Sequence, residues 1–494
     1  MILGISAGFH DAGVSVVDLQ GNILFAGHSE RYSKKKNDEF LNQEIIDEAL
    51  TYGEVTRVSW YEKPWLKKTR QMYSGEWSKA FFSKSPKQQL KEVGVIKPIE
   101  YYRHHLTHAA AGFQTSPFER AIVVVVDAIG EWDTYSAYRA EYNYMTGDAE
   151  YTCILRQTYP HSMGLFYSAM TQRVGLKPME EEYILMGMAA YGDKSEYKNV
   201  FPQVVDNLDK MTWKQNMHLG FLPEDWKDAN TMDLAMAAQM TVEKCLETLM
   251  RKLSHENQDI DDCVFMGGVA LNCVANTQID KYWNRTWIMP NPGDCGSSLG
   301  AAALAYGGKL NWKGPYLGTD IPGPYPSQEI CSELQKNKIV GVASGRAEFG
   351  PRALGNRTLT ADPRGPLIKD KMNEIKHRQK FRPFAPMILE EDVHQYFEMP
   401  ENIKQSPYMQ FVAKCRFPKE FPAIVHVDGT SRVQTVNQLQ HPDLYLLLAS
   451  FKAETGCPML VNTSLNIKGK PIVNDEQDAI DFSEHYNVKV FTSD

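Results

Sequence analysis

Two similar strand-rich units in the N-terminal part of this 494-residue chain constrain its fold more than any other sequence feature. The first contains LGISAG, GVSVVD and NILFAG, in which alternating apolar residues predict three strands and the turn from Leu19 to Asn22 predicts a hairpin. The second, AIVVVVDAIGEWDTYSAYRAEYN, leads from an apolar strand through a short acidic loop into another strand. Two such units about a hundred residues apart predict an internal duplication within an α/β fold.

This duplicated pattern is typical of actin-like and sugar-kinase-like ATPases, in which the two loops face each other across a cleft and hold the phosphates of a nucleotide. Farther along the chain, segment 314–326 (GPYLGTDIPGPYP) is too rich in proline and glycine for a regular helix or strand. We therefore predict two domains, residues 1–320 and residues 321–494, with the boundary in this segment.

The overall charge argues against a uniformly basic, nucleic-acid-coating surface, because 61 acidic residues outnumber 53 basic ones and the net charge is −8. A local basic patch is still compatible with this charge. The eight cysteines form no CxxC pair, which favours buried thiols in a reducing compartment. The N-terminus does not resemble a signal peptide, and the longest apolar run, 121–126, is too short to cross a bilayer, so we expect a cytoplasmic protein without a membrane partner.

Two histidines and two aspartates are candidate metal ligands. His104 and His108 lie four residues apart in a segment with helical character, which would place both imidazoles on one helix face. Asp127 ends an apolar strand, and Asp294 lies in a glycine-rich loop that opens a helix. A mixed N/O set of this kind suits iron, manganese or zinc. The alternative for the HxxxH pattern by itself is a helix that merely contains histidines.

His10 and its neighbour Asp11 are the candidate catalytic residues between the first two strands. An imidazole titrates near neutral pH, so His10 could act as a general base on an acceptor hydroxyl; the alternative is an ordinary turn histidine. The strand–GG–helix segment VFMGGVALN is a weaker candidate for nucleotide binding, through Gly267, Gly268 and Asn272.

The second predicted domain is rich in cations that are interspersed with glycine, proline and small polar residues. Because few acidic residues accompany them, these cations favour a convergent anion pocket over a solvated charged face. They are Arg346, Arg352, Arg357, Arg364, Lys376, Arg378, Lys380, Arg382 and Arg432. The NTSLN segment adds Asn462, Ser464 and Asn466, whose side chains could orient the amide of a carbamoyl group.

Together these segments resemble the O-carbamoyltransferases of nodulation and antibiotic tailoring, of the NodU/TobZ type. The motifs occur in the family's order and span nearly the whole chain: GFHDAG, HHLTHAA, VDAIGEW, MGMAAYG, GGVALN, PGDCGSSLGAA, GRAEFGPRALGNR, FRPFAP, RVQTV and NTSLN. The resemblance implies an enzyme with an N-terminal actin-like (ASKHA) ATPase-fold domain and a C-terminal α/β domain similar to YrdC. It also leaves room for a homodimer.

The resemblance further implies a reaction in two steps. Carbamoyl phosphate would bind in the C-terminal domain and react with ATP, supplied as its magnesium complex, to give carbamoyl adenylate. The residues that would bind it are Arg352, Lys376, Arg382, Arg432, Asn462 and Ser464. The adenylate would then pass to the N-terminal domain, where His104, His108, Asp127 and Asp294 would hold a metal, typically iron, and His10 would assist the attack of an acceptor hydroxyl.

Two positions depart from the family pattern. Ala128 replaces the glycine that usually follows the aspartate at 127, so the loop backbone is expected to differ. Ile184 replaces a customary lysine, which removes a cation that could face phosphate or acceptor.

The acceptor has two alternatives: a sugar or natural-product hydroxyl, or a modified base in nucleic acid. Segment 60–97 carries nine Lys/Arg residues, three Glu residues and seven aromatic residues, which could provide phosphate contacts and stacking surfaces. On this ground we favour hydroxymethylcytosine in DNA as the acceptor; the alternative for the segment is a packed helical insertion with a basic outer face. A third hypothesis is a nucleotide-binding regulator that has lost catalysis.

Overall fold

A computed structural model describes residues 1–493. The first hundred residues form a five-stranded sheet that begins with the three predicted strands. The strand order is β3-β2-β1-β4-β5; β2 is antiparallel to both of its neighbours, β3 and β1, and β4 and β5 continue parallel to β1. The strands are β1 (Ile2–Ser6), β2 (Gly13–Val17), β3 (Ile23–His28), β4 (Arg57–Trp60) and β5 (Ile99–Tyr101). The accompanying helices are α1 (Glu30–Ser33), α2 (Gln43–Thr51), α3 (Pro64–Tyr73), α4 (Trp77–Phe82), α5 (Pro86–Glu92) and α6 (His104–Phe113).

A second five-stranded sheet repeats this topology. Its order from the antiparallel edge is β8-β7-β6-β11-β12, with β6, β7 and β8 antiparallel and β11 and β12 parallel to β6. The strands are β6 (Arg120–Gly130), β7 (Asp133–Tyr142), β8 (Ala149–Thr158), a separate hairpin of β9 (Val205–Asn207) and β10 (Thr212–Trp213), then β11 (Asp262–Met266) and β12 (Arg285–Trp287). Two sheets with the same order and directions confirm the predicted duplication and the actin-like fold of the N-terminal part.

Helices pack between and around these two sheets. They are α7 (Met163–Arg173), α8 (Glu182–Ala189), α9 (Tyr197–Val204), α10 (Thr231–Glu256), α11 (Cys273–Asn276) and α12 (Ser297–Tyr306). Helix α12 contacts β1 and α6 at once, and Gly300 makes this possible, because a Cβ there would lie 1.8 Å from the backbone oxygen of Thr107. The close α6–α12 contact brings the start of α12 beside the start of α6.

The C-terminal part is built on a six-stranded mixed sheet in the order β21-β17-β22-β16-β14-β23. The remaining strands are β13 (Tyr316–Ile321), β14 (Ile339–Ala343), β15 (Gly345–Glu348), β16 (Arg357–Ala361), β17 (Ala385–Leu389), β18 (Phe397–Glu398), β19 (Val412–Cys415), β20 (Thr430–Arg432), β21 (Gln434–Val436), β22 (Met459–Ser464) and β23 (Val490–Phe491). The helices are α13 (Ser327–Asn337), α14 (Ile368–Ile375), α15 (Val393–Tyr396), α16 (Pro442–Thr455) and α17 (Glu476–Tyr486). A separate apolar core, which includes Ile330, Leu359 and Phe451, fills this part.

The predicted boundary after residue 320 falls within β13, one residue before its end. The prediction that segment 314–326 holds no regular strand is wrong, because β13 (Tyr316–Ile321) lies in this segment, where pairing with β15 of the C-terminal part stabilises it. Between residues 1 and 493, no helix combines the length and the apolar character needed to cross a membrane.

Candidate functional site

The four predicted metal ligands converge from three elements. Helix α6 begins at His104, so His104 and His108 lie one turn apart on the same face. Asp127 lies in β6 of the second sheet, and Asp294 begins the 3-10 turn that leads into α12. Their ligand atoms all lie within 4.8 Å of one another.

The distances in this cluster fit a metal ion. The Nε2 atoms of His104 and His108 are 3.0 Å apart, and each lies 3.4 Å from Asp294 Oδ1. Asp127 Oδ2 is 3.2 Å from His104 Nε2 and 3.7 Å from His108 Nε2. With metal–ligand bonds of about 2.1 Å, neighbouring ligands are about 3.4 Å apart in a tetrahedron and about 3.0 Å apart in an octahedron. The residues therefore fit such an ion, and the geometry suits more than one metal.

The cluster is buried and electrostatically coupled. Burial alone would lower the pKa of His104, but the charge of Asp294 and the hydrogen bond with Asp127 raise that pKa well above its ordinary value. Conversely, the two histidines hold the pKa of Asp127 well below its ordinary value despite burial. The carboxylates therefore stay ionised, which is the form that binds a cation.

His10 and Asp11 lie in the β1–β2 loop and line a cavity next to this cluster. The Nε2 atom of His10 is 2.8 Å from the carbonyl oxygen of Met179, so Nε2–H donates and Nδ1 is left as the basic nitrogen. Asp11 adopts a positive φ of 49° and contacts His28. Both predicted catalytic residues are therefore beside the predicted metal site.

The GG segment was predicted to bind a nucleotide through Gly267, Gly268 and Asn272, and the structure places only two of these residues at the cavity. Gly268 and Asn272 line the cavity, but Gly267 does not. Gly267 has a φ of 91°, and a Cβ there would lie 2.2 Å from the carbonyl oxygen of Val126, so this glycine permits chain packing rather than the approach of a nucleotide. The amide of Asn272 is already bonded to Gln239.

Five cations of the C-terminal part line the same cavity. Four were predicted as ligands of carbamoyl phosphate; the fifth, Arg378, was recognised only as one of the nine cations of that part. They are Arg352, Lys376, Arg378, Arg382 and Arg432. The other four of the nine do not converge: Arg357 bonds backbone carbonyls in the core, Arg364 pairs with Asp362, Arg346 bonds carbonyls such as that of Leu24, and Lys380 pairs with exposed Glu374.

These five cations lack ion-pair partners throughout residues 1–493, since none of them lies within 4.0 Å of a carboxylate oxygen. Burial and the neighbouring Arg432 lower the pKa of Arg352 to about 9. Burial, Arg378 and Arg382 also lower the pKa of Lys376 well below its ordinary value. Lys376 is buried and the four arginines are half-buried. Cations that are largely removed from water and repel one another are stabilised by a bound anion, so the group has the character of a phosphate site.

Asn462 and Ser464 also line the cavity and hold its wall together. Asn462 donates to Ala353 O and Gln434 Oε1 at 2.9 and 2.6 Å. Ser464 donates to Asn466 Oδ1 at 2.6 Å, and the Lys376 ammonium donates to the same Oδ1 at 3.0 Å. The NTSLN segment is thus tied to the cation group.

One cavity of about 420 Å³ connects the cation group with the aspartates of the N-terminal cluster. Two further residues line this cavity without belonging to a predicted site: Lys36, and Tyr183, whose ring lies 4.7 Å from the Arg382 guanidinium. A cation–aromatic pair from distant segments leaves no local sequence signal. Ile184 is 1% exposed and belongs to the N-terminal apolar core, so this position does not face the cavity; Ala128 does line it.

Segment 60–97 contains helices α3, α4 and α5, but some of its cations form ion pairs within the protein. Lys67 bonds Glu62 and the carbonyl of Gly8, and Arg70, 3% exposed, bonds Glu76. These two cations therefore cannot belong to a basic outer face. Several aromatic side chains are nevertheless exposed: Trp65, Tyr73, Trp77, Phe81 and Phe82.

Family models match most of the chain. The model for the carbamoyltransferase N-terminus matches residues 59–303, and the model for the carbamoyltransferase C-terminus matches residues 331–493.

Relatives match three quarters or more of this chain. An uncharacterized protein of Synechocystis sp. is 32% identical, and the match covers 97% of this chain and 93% of the length of that protein. The nodulation protein NolO of Bradyrhizobium diazoefficiens is 32% identical over 76% of this chain and 75% of its own. A 3'-hydroxymethylcephem-O-carbamoyltransferase of Amycolatopsis lactamdurans is 26% identical over 96% of this chain and 95% of its own.

Proposed function

The chain belongs to the carbamoyltransferase family, and we propose that it makes carbamoyl adenylate from carbamoyl phosphate and ATP and transfers the carbamoyl group to an acceptor hydroxyl. One observation carries this proposal: a single cavity joins five unpaired cations of the C-terminal part to the aspartates of a four-ligand cluster in the N-terminal part. The first group suits phosphates, and the second suits a metal ion.

In the first step, Arg352, Lys376, Arg378, Arg382 and Arg432 would hold the phosphates of both substrates. Carbamoyl phosphate, water and ATP would give carbamoyl adenylate, phosphate and pyrophosphate. Water first cleaves the bond between the carbamoyl group and the phosphate, which gives carbamate and phosphate. An oxygen of the carbamate then forms a bond to the α-phosphorus of ATP, and pyrophosphate leaves with the electron pair of the broken bond between the α-phosphorus and the bridging oxygen. The cations stabilise the negative charge on both leaving phosphates.

In the second step, the acceptor oxygen would attack the carbamoyl carbon, and AMP would leave with the bonding electron pair. His104, His108, Asp127 and Asp294 would hold the metal, which when bound supplies positive charge beside the adenylate phosphate. His10, with Nε2–H bonded to Met179, has Nδ1 available to take the hydroxyl proton. A nucleotide-binding regulator could use the cations for phosphates, but it would have no use for a basic nitrogen of His10 beside the metal ligands.

The proposed reaction places one requirement on the acceptor, which is a hydroxyl group that can reach His10. Hydroxymethylcytosine in DNA is one candidate, supported by the exposed Trp77 and Phe81, whose rings stack at 8° on α4. A sugar or natural-product hydroxyl is the other, supported by the cephem carbamoyltransferase among the relatives. Because Lys67 and Arg70 are internally paired, phosphate contacts would depend on exposed lysines such as Lys68 and Lys87.

The direct test is to incubate the protein with carbamoyl phosphate, ATP and a panel of acceptors: hydroxymethylcytosine DNA, the free nucleoside, glycosides and a hydroxymethylcephem. We expect pyrophosphate release without acceptor and a mass gain of one carbamoyl group on one class. A gain on a glycoside but not on DNA would contradict the DNA candidate alone. The absence of pyrophosphate release with intact metal content would contradict the two-step proposal.

A further inference from the structure

His28, at the end of β3, has no role in the sequence motifs, yet its side chain lies where three loops of the cavity meet. The residue is 2% exposed and is fixed in the first sheet, where it pairs with Gly13. Its Nδ1 atom is 3.1 Å from Asp11 Oδ1 in the β1–β2 loop. Its Nε2 atom is 3.2 Å from Asn291 Nδ2 in the loop that carries Asp294.

The third loop belongs to the C-terminal part. The His28 ring packs against Phe349, with ring centroids 5.6 Å apart, and Phe349 leads into the loop that carries Arg352. The same junction is closed by a hydrogen bond of 2.9 Å from Arg31 Nη2 to the carbonyl of Gly350. His28 therefore contacts the loops of His10, Asp294 and Arg352 at once.

The hydrogen bonds also determine the proton positions. With the Asn291 amide nitrogen donating to Nε2, the proton of a neutral His28 lies on Nδ1 and is donated to Asp11. Burial alone would raise the pKa of Asp11, but its interactions with His28 lower that pKa to about 2. Asp11 is thereby kept ionised and oriented where it lines the cavity.

A second metal site is the competing interpretation, because the donor atoms of Asp11, His28 and Cys295 lie within 4.8 Å of one another. One observation argues against it. If Nδ1 of His28 bound a metal ion, Nε2 would carry the proton of the neutral imidazole and would face the donor amide of Asn291.

We propose that His28 is a positioning residue that sets the loop of His10 and Asp11 against the loop of Asp294 for the transfer step. The catalytic part of this inference rests on the proposed function; the structural part, that His28 links the two loops, does not. A residue that orients catalytic groups through hydrogen bonds typically changes a rate by about 10- to 100-fold. We therefore expect His28 variants to lose transfer and to keep adenylate formation, because both hydrogen bonds of His28 go to the loops of the transfer step, whereas its contact with the Arg352 loop is apolar packing on Phe349.

Three substitutions separate the two hydrogen bonds. His28→Asn keeps a donor near the position of Nδ1, His28→Gln keeps an acceptor near the position of Nε2, and His28→Leu removes both. The exposed His485→Leu substitution is the matched control. The first readout needs no acceptor: amide hydrogen exchange in segments 7–12 and 290–294. We expect faster exchange in both segments for His28→Leu, mainly in 290–294 for His28→Asn, and mainly in 7–12 for His28→Gln.

The second readout compares pyrophosphate release with transfer from supplied carbamoyl adenylate to the panel acceptor that the wild type modifies. We expect His28→Leu to lower kcat of transfer by about 10- to 100-fold and pyrophosphate release by less than about twofold, with partial rescue in His28→Asn. Unchanged exchange in both segments, or equal loss of both reactions, would overturn the inference. A wild type that performs neither reaction, with exchange altered as expected, would contradict the proposed function and leave the linkage standing.

Discussion

At the residue scale, the sharpest prediction concerns the Nε2 atoms of His104 and His108, which point at the same two carboxylates. His104→Ala or Asp127→Ala should lower the metal content of the purified protein by at least about 10-fold, because each removes one ligand from a four-ligand set. Transfer should be lost while the fold is retained. Metal analysis and circular dichroism of the same preparations check both points.

The neighbouring His105 provides the matched control. It lies on the same helix and is equally buried, but its Nδ1 atom lies 2.8 Å from Ser136 Oγ, outside the cluster. His105→Ala should therefore keep the metal. If His105→Ala and His104→Ala lost metal to the same extent, the cluster would not be the binding site.

Comparison of single residues also shows which members of the site could be predicted from the sequence. His104 and His108 share a helix, so their spacing alone placed them on one face. Arg352 and Arg357 lie in one glycine-rich segment and look alike in sequence, yet Arg352 lines the cavity and Arg357 bonds carbonyls in the core. The difference depends on contacts with distant segments such as Asn474, which no local pattern reports.

At the element scale, the two strand units were predictable because alternating apolar residues and an acidic loop recur within each. The parallel strands were harder to predict, because β4 and β11 join their sheets after long connections and pack against α12 and α6, which lie far from them in the sequence. The α3–α5 insertion was recognised by composition, but its internal ion pairs depend on helix orientation. Because Lys67 and Arg70 form ion pairs within this insertion, its basic outer face is smaller than its composition indicates.

The prediction at the element scale concerns a helix cap whose contribution to stability depends on pH. His441 caps α16: its Nδ1 accepts from the amide of Leu444, and its Nε2 donates to Asn356 Oδ1 at 2.7 Å. Burial lowers the pKa of this imidazole from 6.5 to about 4. Unfolding therefore takes up a proton between these pH values, so the contribution of His441 is complete above pH 6.5 and is lost as the pH falls through 4.

The comparison is between the wild type and His441→Asn, which keeps a capping side chain but does not titrate. At neutral pH the variant should be the less stable protein, because the bond to Asn356 is lost. As the pH falls to 4, the wild type should lose about 3 kcal/mol of unfolding free energy relative to the variant, so that the variant becomes the more stable protein if the lost bond contributes about 1 kcal/mol. Denaturant unfolding at several pH values measures it, with exposed His485→Asn as the control. A difference that does not change with pH would contradict the predicted titration.

At the scale of the whole molecule, each part has a main apolar core of its own, although Ile403 and Phe411 of the C-terminal part belong to the N-terminal core, and both parts line one cavity. The C-terminal part contributes five unpaired cations, and the N-terminal part contributes the four candidate metal ligands and His10. An intermediate made at one end of this cavity would not have to leave the protein before it reacts at the other. If the two ends carry out different steps, they should be separable by mutation.

Arg352→Ala or Arg432→Ala should reduce pyrophosphate release from carbamoyl phosphate and ATP by at least about 100-fold, since each removes a desolvated cation from a phosphate site. Carbamoyl adenylate supplied separately should still be used, because His10 and the metal ligands are untouched. Arg364→Ala is the matched control, since Arg364 pairs with Asp362 away from the cavity; it should affect neither reaction. Equal loss of both reactions in Arg352→Ala, in a protein that binds metal normally, would mean that the cation group serves both steps and that the division of labour between the two parts is wrong.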